Sequence, residues 1–390
     1  MIVDFLAAAS AEANESLGNP RWEPVRMPLI RVSEKPKRIG MMRIARILAL
    51  AVTVGCLLLP ASAGADVLLG VFANQNGKAF NFASPSDSEN NLLAVEKAAG
   101  RKLAIDSQYI TWDGFSTANP PLQMQWDARN GRTPHLTWKF NMHGGRARCA
   151  NWKEIVSGRY DAQLRDQAKV LAALNTRVII RLWPNMDQRL FQCVYDVDPT
   201  ADAATGAQHL IQAWQHIVTL VRGIAPRVEW NWSPNLHAFT DNRGNPSTNW
   251  KRFYPGDRYV DWVGTQIYNN GYRNMTLEGD PMFRAFYAAA SSTGKKIIFS
   301  ETGAPGPDPQ VDAEGHGCPG AHIAASPSPQ ATWIDSFRTD LPKYKDVKAV
   351  VYFSGAAGNV GPERCDNFIL RGDGLSAFSK LANDPYFSAH

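Results

Sequence analysis

From Val67 onward, short β-branched and aromatic runs alternate with amphipathic stretches of helical period, and this alternation restricts the fold more than any other feature. A run such as Ile297-Ile298-Phe299 is too short for a helix and carries no polar alternation. It reads as a strand buried on both faces, which is the environment of a parallel sheet covered by helices. Strands are predicted at Val67 to Phe72, Leu103 to Ile110, His135 to Phe140, Arg177 to Trp183, Val228 to Trp232, Val260 to Tyr268, Lys296 to Ser300 and Val347 to Phe353. Helices are predicted at Asn91 to Ala99, capped by Ser88 and stopped by Gly100, and then at Leu122 to Arg129, Tyr160 to Leu174 and Ala204 to Ile224. Three more are predicted at Met282 to Ser292, Gln330 to Leu341 and Leu375 to Ala382. After the fifth strand, Asn242 to Gly256 has no helical period, so that unit is expected to be irregular. Eight strand-first units without repeat or linker predict α/β class and one (β/α)₈ TIM barrel.

The first 65 residues do not fit this pattern. Met41 to Arg46 is a basic stretch, Ile47 to Leu59 an apolar one, and Ala63-Gly64-Ala65 a small-residue cleavage site, which together read as a signal peptide over 41–65. Residues 1–40 read as a disordered extension or a mis-called start, and 66–390 as the barrel domain. The apolar stretch is shorter than the roughly 20 residues a spanning helix needs, so no membrane span is expected in the mature chain. Secretion or cell-wall association is expected instead. Of the net charge of +5, residues 1–65 carry eight Lys/Arg and five Asp/Glu, which leaves +2 for the domain and gives no reason to expect a nucleic acid partner. A monomer is expected. Cys149, Cys193, Cys318 and Cys365 remain after cleavage, an even number that favours two disulfides in an exported chain. Three pairings are possible; Cys149 with Cys193 and Cys318 with Cys365 is preferred because each ties neighbouring loops. The spacings are far too long for a Cys-x-x-Cys metal site, and His143, His237 and His316 are not spaced as ligands, so no metal or other cofactor is expected.

In a (β/α)₈ barrel the chemistry sits at the C-terminal ends of the strands. Glu301, in Ser300-Glu301-Thr302-Gly303, is therefore the first catalytic candidate; the plain alternative is an acid that caps a loop or pairs with an arginine. Asp257 and Asp261 sit at or before the start of strand 6, on the side where acids more often serve structure. Trp112, Trp138, Trp183, Trp232 and Tyr268 fall at strand ends, where flat rings can stack on sugars or can pack as core.

Three stretches narrow the function: Trp232-Ser233-Pro234-Asn235, then Tyr254-Pro255-Gly256-Asp257 running into Val260-Asp261-Trp262-Val263-Gly264, and the Glu301 strand. In this order and spacing they resemble glycoside hydrolase family 26, the secreted β-mannanases and related β-glycanases, over roughly Val67 to Phe353. The resemblance implies a retaining hydrolase of β-linked polysaccharide with Glu301 as nucleophile and Arg181 holding it ionised. Retention needs a second carboxyl about 5–5.5 Å away to protonate the leaving oxygen. The family's acid lies in Arg-x-x-His-Glu-Met-Asn; the matching stretch here is Arg181-Leu182-Trp183-Pro184-Asn185-Met186-Asp187, with Asn185 in place of the acid. An amide has no proton to give at a useful pKa, so Asn185 is expected to bind a sugar hydroxyl or the transition state. Asp187 is the preferred substitute acid and Asp113 a second candidate; either needs its pKa raised by burial. The alternative is a catalytically impaired, glycan-binding relative.

Overall fold

The computed structural model describes residues 67–74, 85–142, 149–187, 203–241, 243–269, 275–306, 327–355 and 368–388. Eight parallel strands, β1 (Val67–Ala73), β2 (Ile105–Ile110), β3 (Thr133–Trp138), β4 (Val178–Leu182), β5 (Val228–Trp232), β6 (Trp262–Tyr268), β7 (Lys296–Gly303) and β8 (Val347–Ser354), pair in chain order. β8 returns to pair with β1, which closes the barrel, and a short β9 (Phe387–Ser388) pairs with the start of β1. The helices are α1 (Pro85–Ala99), α2 (Leu122–Arg129), α3 (Trp152–Val156), α4 (Asp161–Ala173), α5 (Ala203–Arg222), α6 (Pro281–Ser291), α7 (Pro329–Asp340) and α8 (Gly372–Ala382). The predicted barrel is thus observed. The expected cap at Ser88 is not: α1 begins at Pro85 and Ser88 lies inside it. Short α3, not among the predicted helices, is started by Asn151, whose side chain accepts from the Lys153 amide at 2.8 Å.

After β5 the expected irregularity is real. Among the described residues, three 3₁₀ turns, Leu236–Ala238, Asn249–Arg252 and Asp257–Tyr259, take the place of a helix. Aromatic rings cover the strand there instead: Trp232 lies 5.1 Å from Tyr254 and 6.2 Å from Trp250, ring centre to ring centre. Asp261 has the structural task expected of it, accepting from the Trp230 amide at 2.8 Å and from Arg222 at 2.9 Å.

The barrel interior is stacked in layers. Leu68, Ile105, Ile179, Ile298, Ala349 and Val351 fill the N-terminal end. Above them lies a polar layer in which His135 bonds Ser107 at 2.9 Å and Asn231 donates to Ser300 at 2.8 Å. Gly264 leaves room for that second bond, since a Cβ there would stand 2.3 Å from the Ser300 hydroxyl. Burial, followed by the charge of Arg181, pushes His135 down to about 3, so the ring is neutral. Phe72, Tyr109, Tyr268, Phe353 and Phe368 form an aromatic collar at the C-terminal mouth.

One irregularity positions the site. Thr265 of β6 pairs with Phe299, but Gln266 pairs with Glu301, so Ser300 is an extra residue in β7. The β8 side agrees, with Phe299 on Val350 and Thr302 on Tyr352. Such a bulge re-aims side chains. Consecutive residues Ser300 and Glu301 therefore both enter the barrel, and the Thr302 hydroxyl turns outward to accept from Trp333 at 2.9 Å.

The expected disulfides fall largely outside the described residues, which contain Cys149 but not Cys193, Cys318 or Cys365. His143 and His316 lie outside them as well. No described helix is long and apolar enough to cross a membrane.

Candidate active site

Glu301 stands at the mouth end of β7 and is 6% exposed. Four side chains from three other strands converge on it. Tyr109 of β2 and Arg181 of β4 donate to Oε1. Gln266 and Tyr268 of β6 donate to Oε2, the latter at 3.1 Å. A carboxylate offers about four lone-pair sites, so its accepting capacity is filled. Burial, then the charge of Glu301, raises both phenols well above their ordinary range, which keeps them protonated and able to donate. Arg181 is fully buried, pairs with Glu301 and also donates through Nε to Ser233 at 3.1 Å. Its Nη2 has no partner among the described residues.

The turn after β4 holds the stretch in which the acid was sought. Trp183 and Asn185 both have left-handed backbones, with φ of 54° and 55°. The Asn185 amide N–H bonds the Ser233 carbonyl at 3.1 Å, which fastens this turn to the end of β5. Its side chain, 4% exposed, donates through Nδ2 to Oε1 of Gln266 at 3.0 Å. Asp187 accepts from the Asn235 amide at 2.7 Å, and burial pushes its carboxyl up to about 6 despite that bond and the nearby His237. This is the direction a general acid requires. Asp113 lies in the turn after β2 with an exposed side chain.

Of the two roles open to the strand-end aromatics, the tryptophans have the packing of core. Trp112, Trp138, Trp183 and Trp232 are all fully buried. Trp112 stacks on Trp138 at 5.1 Å, and Trp183 on Phe140 at 5.2 Å. Their rings pack among other aromatic side chains as core. Tyr268 differs: it is half-buried, packs on Phe368 at 4.9 Å and turns its hydroxyl to Glu301.

Of the sequence candidates, then, the structure brings together Glu301, Arg181, Tyr268 and, through Gln266, Asn185. Tyr109 and Gln266 were missed. Each is one of several polar residues on its strand, Asp106, Ser107 and Gln108 beside Tyr109 and Thr265 beside Gln266, so composition did not single it out. Among the described residues no three His, Cys, Asp or Glu side chains group as metal ligands.

No family model matches the chain. Endoglucanase H of Acetivibrio thermocellus is 26% identical over 220 residues, 55% of this chain and 23% of that protein, so the match spans under a quarter of its relative. The catalytic domain of a GH26 endo-β-1,4-mannanase from Bacillus sp. JAMB-750 superposes with a TM-score of 0.55 at 18% identity, covering 83% of this chain and 87% of the other. A fungal β-1,4-galactanase gives 0.53 at 15% identity, covering 81% and 98%. A GH26 β-mannanase from Bacteroides ovatus gives 0.51 at 14% identity, covering 83% and 90%. At these identities the likeness is one of fold, and it is the fold that the family 26 resemblance implies.

Proposed function

We propose that this chain is an exported glycoside hydrolase of the β-mannanase type, cleaving a β-linked polysaccharide with retention of configuration. The observation that carries the reading is the carboxylate of Glu301, set by a bulge at the C-terminal mouth of the barrel and held by Tyr109, Arg181, Gln266 and Tyr268. In the first step a Glu301 oxygen attacks the anomeric carbon. The glycosidic C–O bond breaks with its electron pair on the leaving oxygen, which takes a proton from Asp187. Water then attacks the anomeric carbon and gives its proton to Asp187, releasing Glu301 and a sugar of unchanged configuration. The raised pKa of Asp187 supports its part as acid. Because the four donors fill the carboxylate, substrate must displace one of them; Tyr268, with the 3.1 Å bond and a half-buried ring, is the one most easily released. The N-terminal 41–65 segment serves as the export signal, cleaved near Ala65, and the mature domain works as a monomer without cofactor.

A second reading rests on Asn185, whose amide stands where the family has its acid and is engaged with Gln266. On that reading the groove binds glycan and no longer cleaves it. Reducing-sugar release from β-mannans, xylans, β-glucans and galactans separates the two, with the mature protein and Glu301→Gln assayed together. Release lost in the variant supports the hydrolase; binding by both proteins without release supports the binder.

A further inference from the structure

The amide at position 185 does something that a carboxylate there could not. Asn185 donates to Gln266, and Gln266 donates to Glu301, so the three side chains form a hydrogen-bonded chain from the turn after β4 across β6 to β7. The chain has one workable direction. Glu301 as carboxylate only accepts, so Gln266 must turn its Nε2 toward it. That leaves Oε1 of Gln266 facing Asn185, and this oxygen needs a donor. Reversing either amide would set two oxygens face to face, between Asn185 and Glu301, which are 4% and 6% exposed, at a half-buried Gln266.

We propose that Asn185 is a positioning residue: its N–H₂ fixes the orientation of Gln266 and thereby keeps a donor on Oε2 of Glu301. A glutamate at 185 that had given up its proton would accept rather than donate, and would oppose Gln266. Gln266 on β6 and the amide at 185 therefore belong to one arrangement. The Oδ1 of Asn185 is left buried and without a partner among the described residues, an acceptor available to a sugar hydroxyl. The left-handed backbone at 185 suits asparagine, which adopts that conformation more readily than most residues.

The deciding experiment needs no activity. Thermal unfolding is followed for the parent, Asn185→Ala, Glu301→Gln and the double variant. A neutral amide at 301 can present either end to Gln266, so the demand for direction disappears. Asn185→Ala should lower Tm by about 2–4 °C in the parent and by clearly less in the Glu301→Gln background. The backbone cost of removing asparagine from a left-handed position occurs in both arms and cancels. Equal losses in both backgrounds overturn the proposal. If Asn185→Ala does not fold, Asn185→Asp replaces it, since that side chain donates to Gln266 only while protonated. Beside Glu301, Arg181, Tyr109 and Tyr268, and two residues from Asp187, its Tm deficit relative to the parent should widen as pH rises; a constant deficit overturns the proposal.

The kinetic consequence rests on Glu301 being the nucleophile and is read separately. On any glycan the parent cleaves, Asn185→Ala should lower kcat about 10- to 100-fold with KM changed less than about threefold, and adding Gln266→Leu should cost little more. A loss confined to KM would make Asn185 a sugar contact only and overturn the positioning role. A parent that cleaves nothing defeats the hydrolase reading and leaves the unfolding cycle to decide this one.

Discussion

The two faces of β2 hold buried carboxylates in opposite predicaments. Inward, Tyr109 reaches a lone carboxylate, Glu301, that has a donor for every lone pair. Outward, Asp106 meets Asp127 of α2, and the two share Gln108, which lies 2.8 Å from Asp127 and 3.3 Å from Asp106, and Gln123, 2.8 Å from Asp106. The cation whose charge acts on both, Arg132, is engaged by Glu96 through bonds of 2.9 and 2.6 Å. With few donors between them, burial raises both carboxyls, and the charge of Asp106 raises Asp127 further. Perturbed acidity would thus direct a search for chemistry to the outer pair, which lies against α2 behind the barrel wall. Position at the C-terminal mouth and a full set of donors single out the inner one.

The widest separation between the two clusters is expected on replacing Glu301 by Gln. Glycan cleavage should fall at least about 1,000-fold while the protein stays folded, and persistent turnover would remove Glu301 from the mechanism. Arg132→Leu should do the reverse. It strands Glu96, costs about 3–5 kcal/mol of stability seen in denaturant melts, and leaves kcat of the folded fraction alone. Asp187→Asn should slow cleavage of natural glycan about 100-fold yet spare aryl glycosides whose phenolate leaves unaided; equal losses on both would take the acid's part away from Asp187.

The smallest effect is a slope against pH. A carboxyl whose folded pKa lies above its unfolded value of about 3.9 contributes stability that is complete below that value and is lost as pH rises through the folded one. Asp106 and Asp127 are both raised, and Asp187 is raised to about 6, so all three act in the same direction. The unfolding free energy should therefore decline from about pH 4 toward neutrality, by at most about 1.4 kcal/mol per pH unit for each proton involved, and Tm should fall with it. Asp127→Asn, which removes one raised carboxyl and the charge opposing Asp106, should flatten that decline. An unchanged slope would mean that the outer pair does not titrate as a unit.

Much of the barrel was legible because parallel strands buried on both faces leave unbroken apolar runs, as in Ala349 to Phe353. The missing helix after β5 was legible too, from the lack of period in Asn242 to Gly256. What could not be read was direction. Trp230 and Trp232 flank Asn231 on β5, yet the tryptophans pack outward among aromatic rings and the asparagine enters the barrel. A shift of one residue exchanges those roles, and strand-end position says nothing about it. Tyr109 and Gln266 were missed for the same reason, since only register shows which polar residue of a strand faces the mouth.

The extra residue in β7 is where this matters most. Counted in even steps from Ile298, which lies in the barrel interior, Ser300 would face inward and Glu301 outward against the helices. Parity is broken once, between those two residues, and the carboxylate owes its address to that break. A homologue one residue shorter here could keep the same composition and the same barrel while its glutamate faced the wrong compartment, so alignments across this point should be judged by strand register before any glutamate is matched to Glu301.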